Sequence, residues 1–241
     1  MDTAIVVGVG ASRGLGAALA RRFAREGLHV MIAGRTPARL DQVASEIRDA
    51  GGRAGAVPTD TTDEAAVAAL FDAACADDRR LALAVYNAGN MRVGNLSDMQ
   101  ADTFVETWRT TCFGGFLVGR EAARRMLPAG AGTLIFTGAT ASLRARPPFA
   151  AFASAKAALR ALSFGLAREL GPQGIHVAHA IIDGVIAGDQ VMKRFPEARE
   201  RLGEDGMLDI EAIADAYWSL HRQQRTAWTA ELDLRPYKEQ F

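Results

Sequence analysis

No apolar stretch in the 241-residue chain approaches the roughly 20 residues that a membrane-spanning helix needs, so no membrane contact is expected. An excess of either charge is also missing. Lys+Arg and Asp+Glu each number 28, which removes the general electrostatic pull toward nucleic acid or anionic lipid. Cysteine is scarce: Cys75 and Cys112 lie far apart and outside any C-x-x-C pair, and read as buried thiols of a reducing cytoplasm. No basic leader is expected, because Met1-Asp2-Thr3 runs straight into apolar, strand-like sequence. What is present is ordinary globular composition, with 49% hydrophobic residues available for a core, at a length that one α/β domain often reaches. A cytoplasmic enzyme acting on a small molecule is the class that remains.

The chain alternates between two periods. Ala4 to Val7, Leu28 to Ala33, Ala54 to Pro58 and Leu81 to Tyr86 are short apolar runs that suit strands buried on both faces. Between them, Leu15 to Glu26, Thr36-Pro37 to about Ala50, and Asp63 to Ala76 have helical spacing or helix-start signals. The second half continues with helices over about Ala101 to Leu127, Phe152 to Leu170 and Asp209 to Leu220. Its strands fall over Thr133 to Thr137, Ile175 to Ile182 and Trp228 to Leu232. Strands separated by helices of this length predict a single Rossmann-type domain over 1–241, a doubly wound parallel α/β sheet with helices on both faces. The one long irregular stretch, about 187–206, is expected to be a substrate lid or binding loop.

Gly8-x-Gly10-x-x-x-Gly14-x-Gly16 falls between the first strand and the first helix. Glycine lets the backbone approach a ligand closely, and a helix N-terminus offers free N–H groups and a positive dipole end, so a diphosphate fits there. The second strand ends in Ala33-Gly34-Arg35-Thr36, with no carboxylate to bind the adenosine ribose hydroxyls. Arg35 can instead pair with a 2′-phosphate, helped by Arg13 and Ser12. NADP is therefore expected in preference to NAD.

These landmarks resemble the short-chain dehydrogenase/reductase superfamily over nearly the whole chain. Gly10, Ser12, Arg13, Gly14, Leu15 and Gly16 match its dinucleotide loop. Asp60-Thr61 matches its adenine-contacting pair, and Asn87-Ala88-Gly89 its segment after the fourth strand. The resemblance implies that Lys156, opening an Ala-rich helix, holds the nicotinamide ribose, and that Gly184 and Ile186 border the cofactor. It also implies dimers or tetramers built through the helices at 101–127 and 152–170.

The departures from the family pattern bear on chemistry. The usual catalytic Tyr, four residues before the Lys, falls on Phe152; the usual Ser falls on Ala139 and the usual Asn on Thr111. Phe152 has no hydroxyl to give or take a proton, a role typically worth ~10²–10⁴ in rate. Thr140 and Ser142 are nearby hydroxyls, and Asp183 and His179 are substitute proton donors suggested by their position near the end of a strand. Three functions remain open: an atypical NADP-dependent oxidoreductase with a substrate such as an imine or activated alkene that does not need the Tyr; a cofactor-binding sensor or partner subunit without turnover; and an isomerase, lyase or cyclase reusing the cleft.

Overall fold

Short runs of β-branched and other apolar residues make strands whose two faces are both covered. The structure, a computed structural model, describes residues 1–239, leaving aside the side chains of residues 190 and 194. β1 (Asp2–Val7), β2 (His29–Gly34), β3 (Arg53–Pro58), β4 (Arg80–Tyr86), β5 (Gly132–Thr137), β6 (Ile175–Ile182) and β7 (Glu231–Leu234) form one sheet in the order β3-β2-β1-β4-β5-β6-β7. Every pair in it is parallel.

Helices cover both faces. α1 (Leu15–Arg25), α2 (Pro37–Asp49) and α9 (Ile210–His221) lie on one side, where Leu19, Phe23, Val43 and Tyr217 meet Val6, Val30 and Ile182. α3 (Glu64–Cys75), α5 (Gly114–Met126) and α6 (Ala150–Leu170) lie on the other, where Phe71, Leu117 and Leu159 meet Ile5, Val7 and Leu134. This is the doubly wound α/β fold. The chain leaves β1 toward β2 and β3, then crosses back to β4. A ligand crevice opens at the carboxyl ends of the strands where the winding reverses, and that point lies between β1 and β4. No helix among the described residues is long and apolar enough to cross a membrane.

Three local features differ from the sequence expectation. The helix expected over 101–127 is interrupted: α4 (Ala101–Trp108) passes into a π turn at Arg109–Phe113 before α5. There the Gly114 N–H reaches back to the Arg109 carbonyl, while the buried Tyr86 hydroxyl donates to the Thr110 carbonyl. The last strand starts at Glu231, not Trp228. Trp228 stacks on His176 with ring centroids 5.0 Å apart, and His176 Nε2 bonds the Thr229 carbonyl at 2.9 Å, so these residues are engaged before the ladder begins. The stretch 187–206 carries two short helices, α7 (Asp189–Arg194) and α8 (Ala198–Leu202).

Candidate active site

A cleft of ≈ 1160 Å³ follows the carboxyl ends of the strands. That exceeds the several hundred to ~1,000 Å³ typical of a single ligand pocket. It has two arms.

The first arm is built from backbone. Gly8 has φ +91°, and a Cβ there would stand 2.5 Å from the Ala88 nitrogen. A Cβ on Gly16 would stand 2.8 Å from the Gly8 carbonyl oxygen. Gly8 and Val9 both donate to the Ala33 carbonyl at 2.9 Å, and Asn87 N–H donates to the Val7 carbonyl at 2.9 Å. Asn87 Nδ2 adds a bond to the Gly8 carbonyl at 3.3 Å. The loop is thus pinned between β2 and the end of β4. Gly14 opens α1 without a side-chain cap, and Gly10, Gly14, Leu15 and Gly16 line the cleft. An uncapped helix N-terminus on a bare-backbone cradle fits a diphosphate.

At the end of β2, Arg35 lines the cleft, joined by Thr36 and Arg39. In the sequence Arg39 is one arginine among several, and its only signal is its place on the first turn after Thr36-Pro37. Asp60 and Thr61 line the cleft, as do Asn87, Ala88 and Gly89. Asp60 Oδ1 accepts from the Thr62 N–H at 2.9 Å and its hydroxyl at 2.8 Å, which, with Arg35 and Arg109 nearby, holds its carboxyl below the ordinary value.

Two expected contributors lie elsewhere. Ser12 does not border the cleft; its Oγ donates to both carboxylate oxygens of Glu46, at 2.8 and 2.6 Å. Arg13 borders a separate cavity of ≈ 220 Å³ with Gly188, Asp189, Met192 and Arg199. Its carbonyl accepts from the Asp189 N–H at 2.9 Å, which ties the start of α7 to the glycine loop.

The second arm is built from side chains. Lys156 is 4% exposed and donates from Nζ to the Thr137 carbonyl at 2.7 Å. Its Nζ stands 5.6 Å from the centroid of the Phe152 ring, and burial brings its pKa down to about 8. Thr111, inside the π turn, is fully buried, and its hydroxyl accepts from the Asn90 N–H at 3.5 Å. A Cβ on Gly89 would lie 3.5 Å from Lys156 Nζ and 4.0 Å from Thr111 Oγ1. Lys156, Thr111 and Gly89 therefore converge, and Phe152, Ala139 and Lys156 all line the cleft. Gly184 and Ile186 line the cleft after β6, and Met91, Val93, Val105, Phe149, Val191 and Phe195 give this arm an apolar wall. Within residues 187–206, Met192 lines the smaller cavity instead.

The substitute donors suggested by the sequence do not reach the cleft. Asp183 is 2% exposed; it accepts from the Thr140 hydroxyl, from Arg144 at 2.8 Å, and pairs with Arg235 at 3.1 Å. Its carboxylate is thus taken up by the Thr140 hydroxyl and two guanidiniums, and it does not line the cleft. His179 is fully buried, with Nδ1 3.0 Å from Glu231, and burial takes its pKa to about 4. Arg160 of α6 forks onto the same Glu231 at 2.6 and 2.9 Å. Ser142 Oγ accepts from the Ala139 N–H at 3.1 Å, so neither Thr140 nor Ser142 presents a hydroxyl to the cleft.

Comparison with known proteins agrees with this geometry. Residues 3–199 match the short chain dehydrogenase family, and the chain belongs to that family. A crystal structure of a short-chain dehydrogenase from Rhodopseudomonas palustris is 39% identical, with TM-score 0.84, covering 98% of this chain and 99% of that one. Gluconate 5-dehydrogenase from Gluconobacter oxydans (strain 621H) is 32% identical over 70% of this chain and 66% of its own length. A metagenomic short-chain oxidoreductase solved in complex with NADP is 25% identical, with TM-score 0.82, over 98% of this chain and 97% of that one.

Proposed function

We propose that this protein is an NADP(H)-dependent oxidoreductase acting on a small molecule with an apolar body, by a proton route that bypasses residue 152. The observation that carries the reading is the two-armed cleft itself: an uncapped α1 N-terminus with Arg35 and Arg39 in one arm, and buried Lys156 under the Phe152 ring in the other. The NADP bound to the metagenomic relative supports the same cofactor. Gly10, Gly14, Leu15 and Gly16 would hold the diphosphate, Arg35 and Arg39 the 2′-phosphate, Asp60 and Thr61 the adenine, and Lys156 the nicotinamide ribose. When bound, the dinucleotide supplies or accepts a hydride. Phe152 packs and shields the reacting end but carries no proton.

The apolar wall of Met91, Val105 and Phe195, which are 41–50% exposed, favours substrates with an aryl or alkyl body. Phe104, Trp108 and Phe116 leave apolar surface on α4 and α5, 36–41% exposed, and support a homo-oligomer through that face. Calorimetric titration with NADPH, NADP and NADH tests the cofactor, followed by NADPH oxidation across imine, enone and carbonyl panels. Micromolar NADPH binding with much weaker NADH binding is expected, with turnover that survives Phe152→Tyr. Absence of dinucleotide binding rejects the oxidoreductase reading. Light scattering on the same sample reads the assembly.

A further inference from the structure

The reacting arm needs a proton for any carbonyl or enone substrate, and the geometry leaves few sources. Phe152 and Ala139 have no exchangeable side-chain proton. Asp183 and His179 lie outside the cleft lining. Thr137 Oγ1 accepts from the Tyr217 hydroxyl at 2.9 Å behind the strand. Glu106 of α4 lines the cleft and pairs with Arg92 at 3.7 Å.

Lys156 is different. It borders the cleft, is almost wholly enclosed, and among the described residues hydrogen-bonds Thr137 alone. A lysine ammonium carries three N–H donors, so one bond to Thr137 leaves protons for a ligand. The bare Cα of Gly89 leaves the approach to Nζ free of a side chain, which gives the ammonium an opening onto the cleft.

We propose that Lys156 is itself the acid of the reaction, giving an Nζ proton to the substrate atom that becomes anionic during reduction. This rests on reading the protein as an NADPH-dependent reductase. In that step a hydride from the reduced nicotinamide dinucleotide forms the new C–H bond. The π-electron pair moves to the substrate heteroatom, or to the enolate of an enone. One Nζ–H bond breaks as the substrate's new bond to hydrogen forms. Lysine is left as a neutral amine and regains its proton from water. No further oxidant or reductant is required.

An ordinary lysine, with pKa near ~10.4, is a sluggish donor at neutral pH, whereas a value of about 8 is close to the range where acid catalysis is efficient. Burial lowers it. Thr137 faces Nζ from β5, Phe152 from its own helix, and Gly89 and Thr111 from the segments after β4. The titratable and charged groups on that side are His179 of β6, with Glu231 of β7 and Arg160 of α6 beyond it. His179, with a pKa of about 4, is neutral throughout the range in which Lys156 titrates.

Arginine at this position separates two roles. It keeps the cation and several donors for a ribose but does not release a proton. The test compares the parent protein with Lys156→Arg and Lys156→Met for NADPH affinity by calorimetry and for kcat against pH. In the parent without cofactor, acetylation of Lys156 by acetic anhydride is followed against pH by peptide mass spectrometry. Lys156→Arg is expected to bind NADPH within about threefold of the parent while losing ~10²–10⁴-fold in kcat. Parent kcat is expected to fall as pH rises through about 8, and acetylation to reach half its limiting rate near the same pH. Retained kcat in Lys156→Arg, a flat alkaline limb, or an acetylation midpoint above about 10 overturns the inference. NADPH binding without turnover of any panel substrate also overturns it, while leaving the cofactor reading intact; failure to bind NADPH defeats the cofactor reading instead.

Discussion

The two arms of the cleft are made in different ways. The dinucleotide arm is a backbone construction: Gly8, pressed against Ala88, and Gly16, against the Gly8 carbonyl, have no room for a Cβ, and Gly8 and Val9 are tied into the sheet through Ala33. The reacting arm is a side-chain construction. Its framework is intact, with Lys156, the Thr111 π turn and Gly89 brought together, yet the nearby hydroxyls are turned into the protein, Thr140 toward Asp183 and Ser142 toward Ala139. A backbone-built site changes only at the expense of the fold around it. A side-chain-built one can change its chemistry by one substitution and leave the fold untouched.

The contrast can be broken most severely at Gly8. Gly8→Val forces a branched side chain onto a left-handed residue 2.5 Å from the Ala88 nitrogen. Loss of measurable NADPH binding is expected together with a lower Tm. Unchanged affinity and Tm in calorimetry and thermal melting would show that this arm is not set by its backbone. A smaller effect follows from the part of the same arm that is side chain. Arg35→Ala removes one charge-assisted contact, worth about 1.5–3 kcal/mol. NADPH affinity should fall roughly 10–100-fold while NADH affinity stays level, and an equal loss for both cofactors would place Arg35 outside the phosphate contact.

The smallest expected effect concerns the support behind the reacting arm. Burial takes the pKa of His179 to about 4 from an unfolded value near 6.5. The folded form therefore binds fewer protons, so this contribution to stability is present above pH ~6.5 and is lost as pH falls toward 4. Between pH 7 and 5.5 the loss is about 1 kcal/mol, a fall in Tm of roughly 2–4 °C. His179→Gln should make the acid slope shallower by about that amount, His221, also near 4, keeping its own share, and an equally steep slope in the variant would assign the acid sensitivity to other groups.

Much of this contrast was legible in the sequence, and unequally. Buried parallel strands announce themselves as unbroken apolar runs, and Ile175–Ile182 forms β6 with the same bounds that the sequence suggested. Trp228 misled because apolarity does not say whether a residue joins a ladder or stacks on a histidine. The π turn was invisible because one extra residue barely alters helical periodicity, and its companions, the Tyr86 hydroxyl and Gly114, meet only in three dimensions. Glycine spacing located the dinucleotide loop, whereas Arg39 looked like any surface arginine of a helix. His179 and Asp183 were misplaced for a related reason: β6 is buried on both faces, so alternation gives no sign of which way a side chain turns. Their partners Glu231 and Arg235 lie far along the chain.

The Arg160–Glu231 fork has a consequence for biosynthesis. Lys156 and Arg160 belong to the same helix, one turn apart, but the carboxylate that clamps this helix to the sheet enters with β7, the last strand. A nascent chain that has emerged only as far as Trp228 already contains every residue lining both arms, yet lacks that fastening. On the ribosome, therefore, the nucleotide loop emerges well before Glu231, and the lysine's helix awaits that anchor until β7 has followed it.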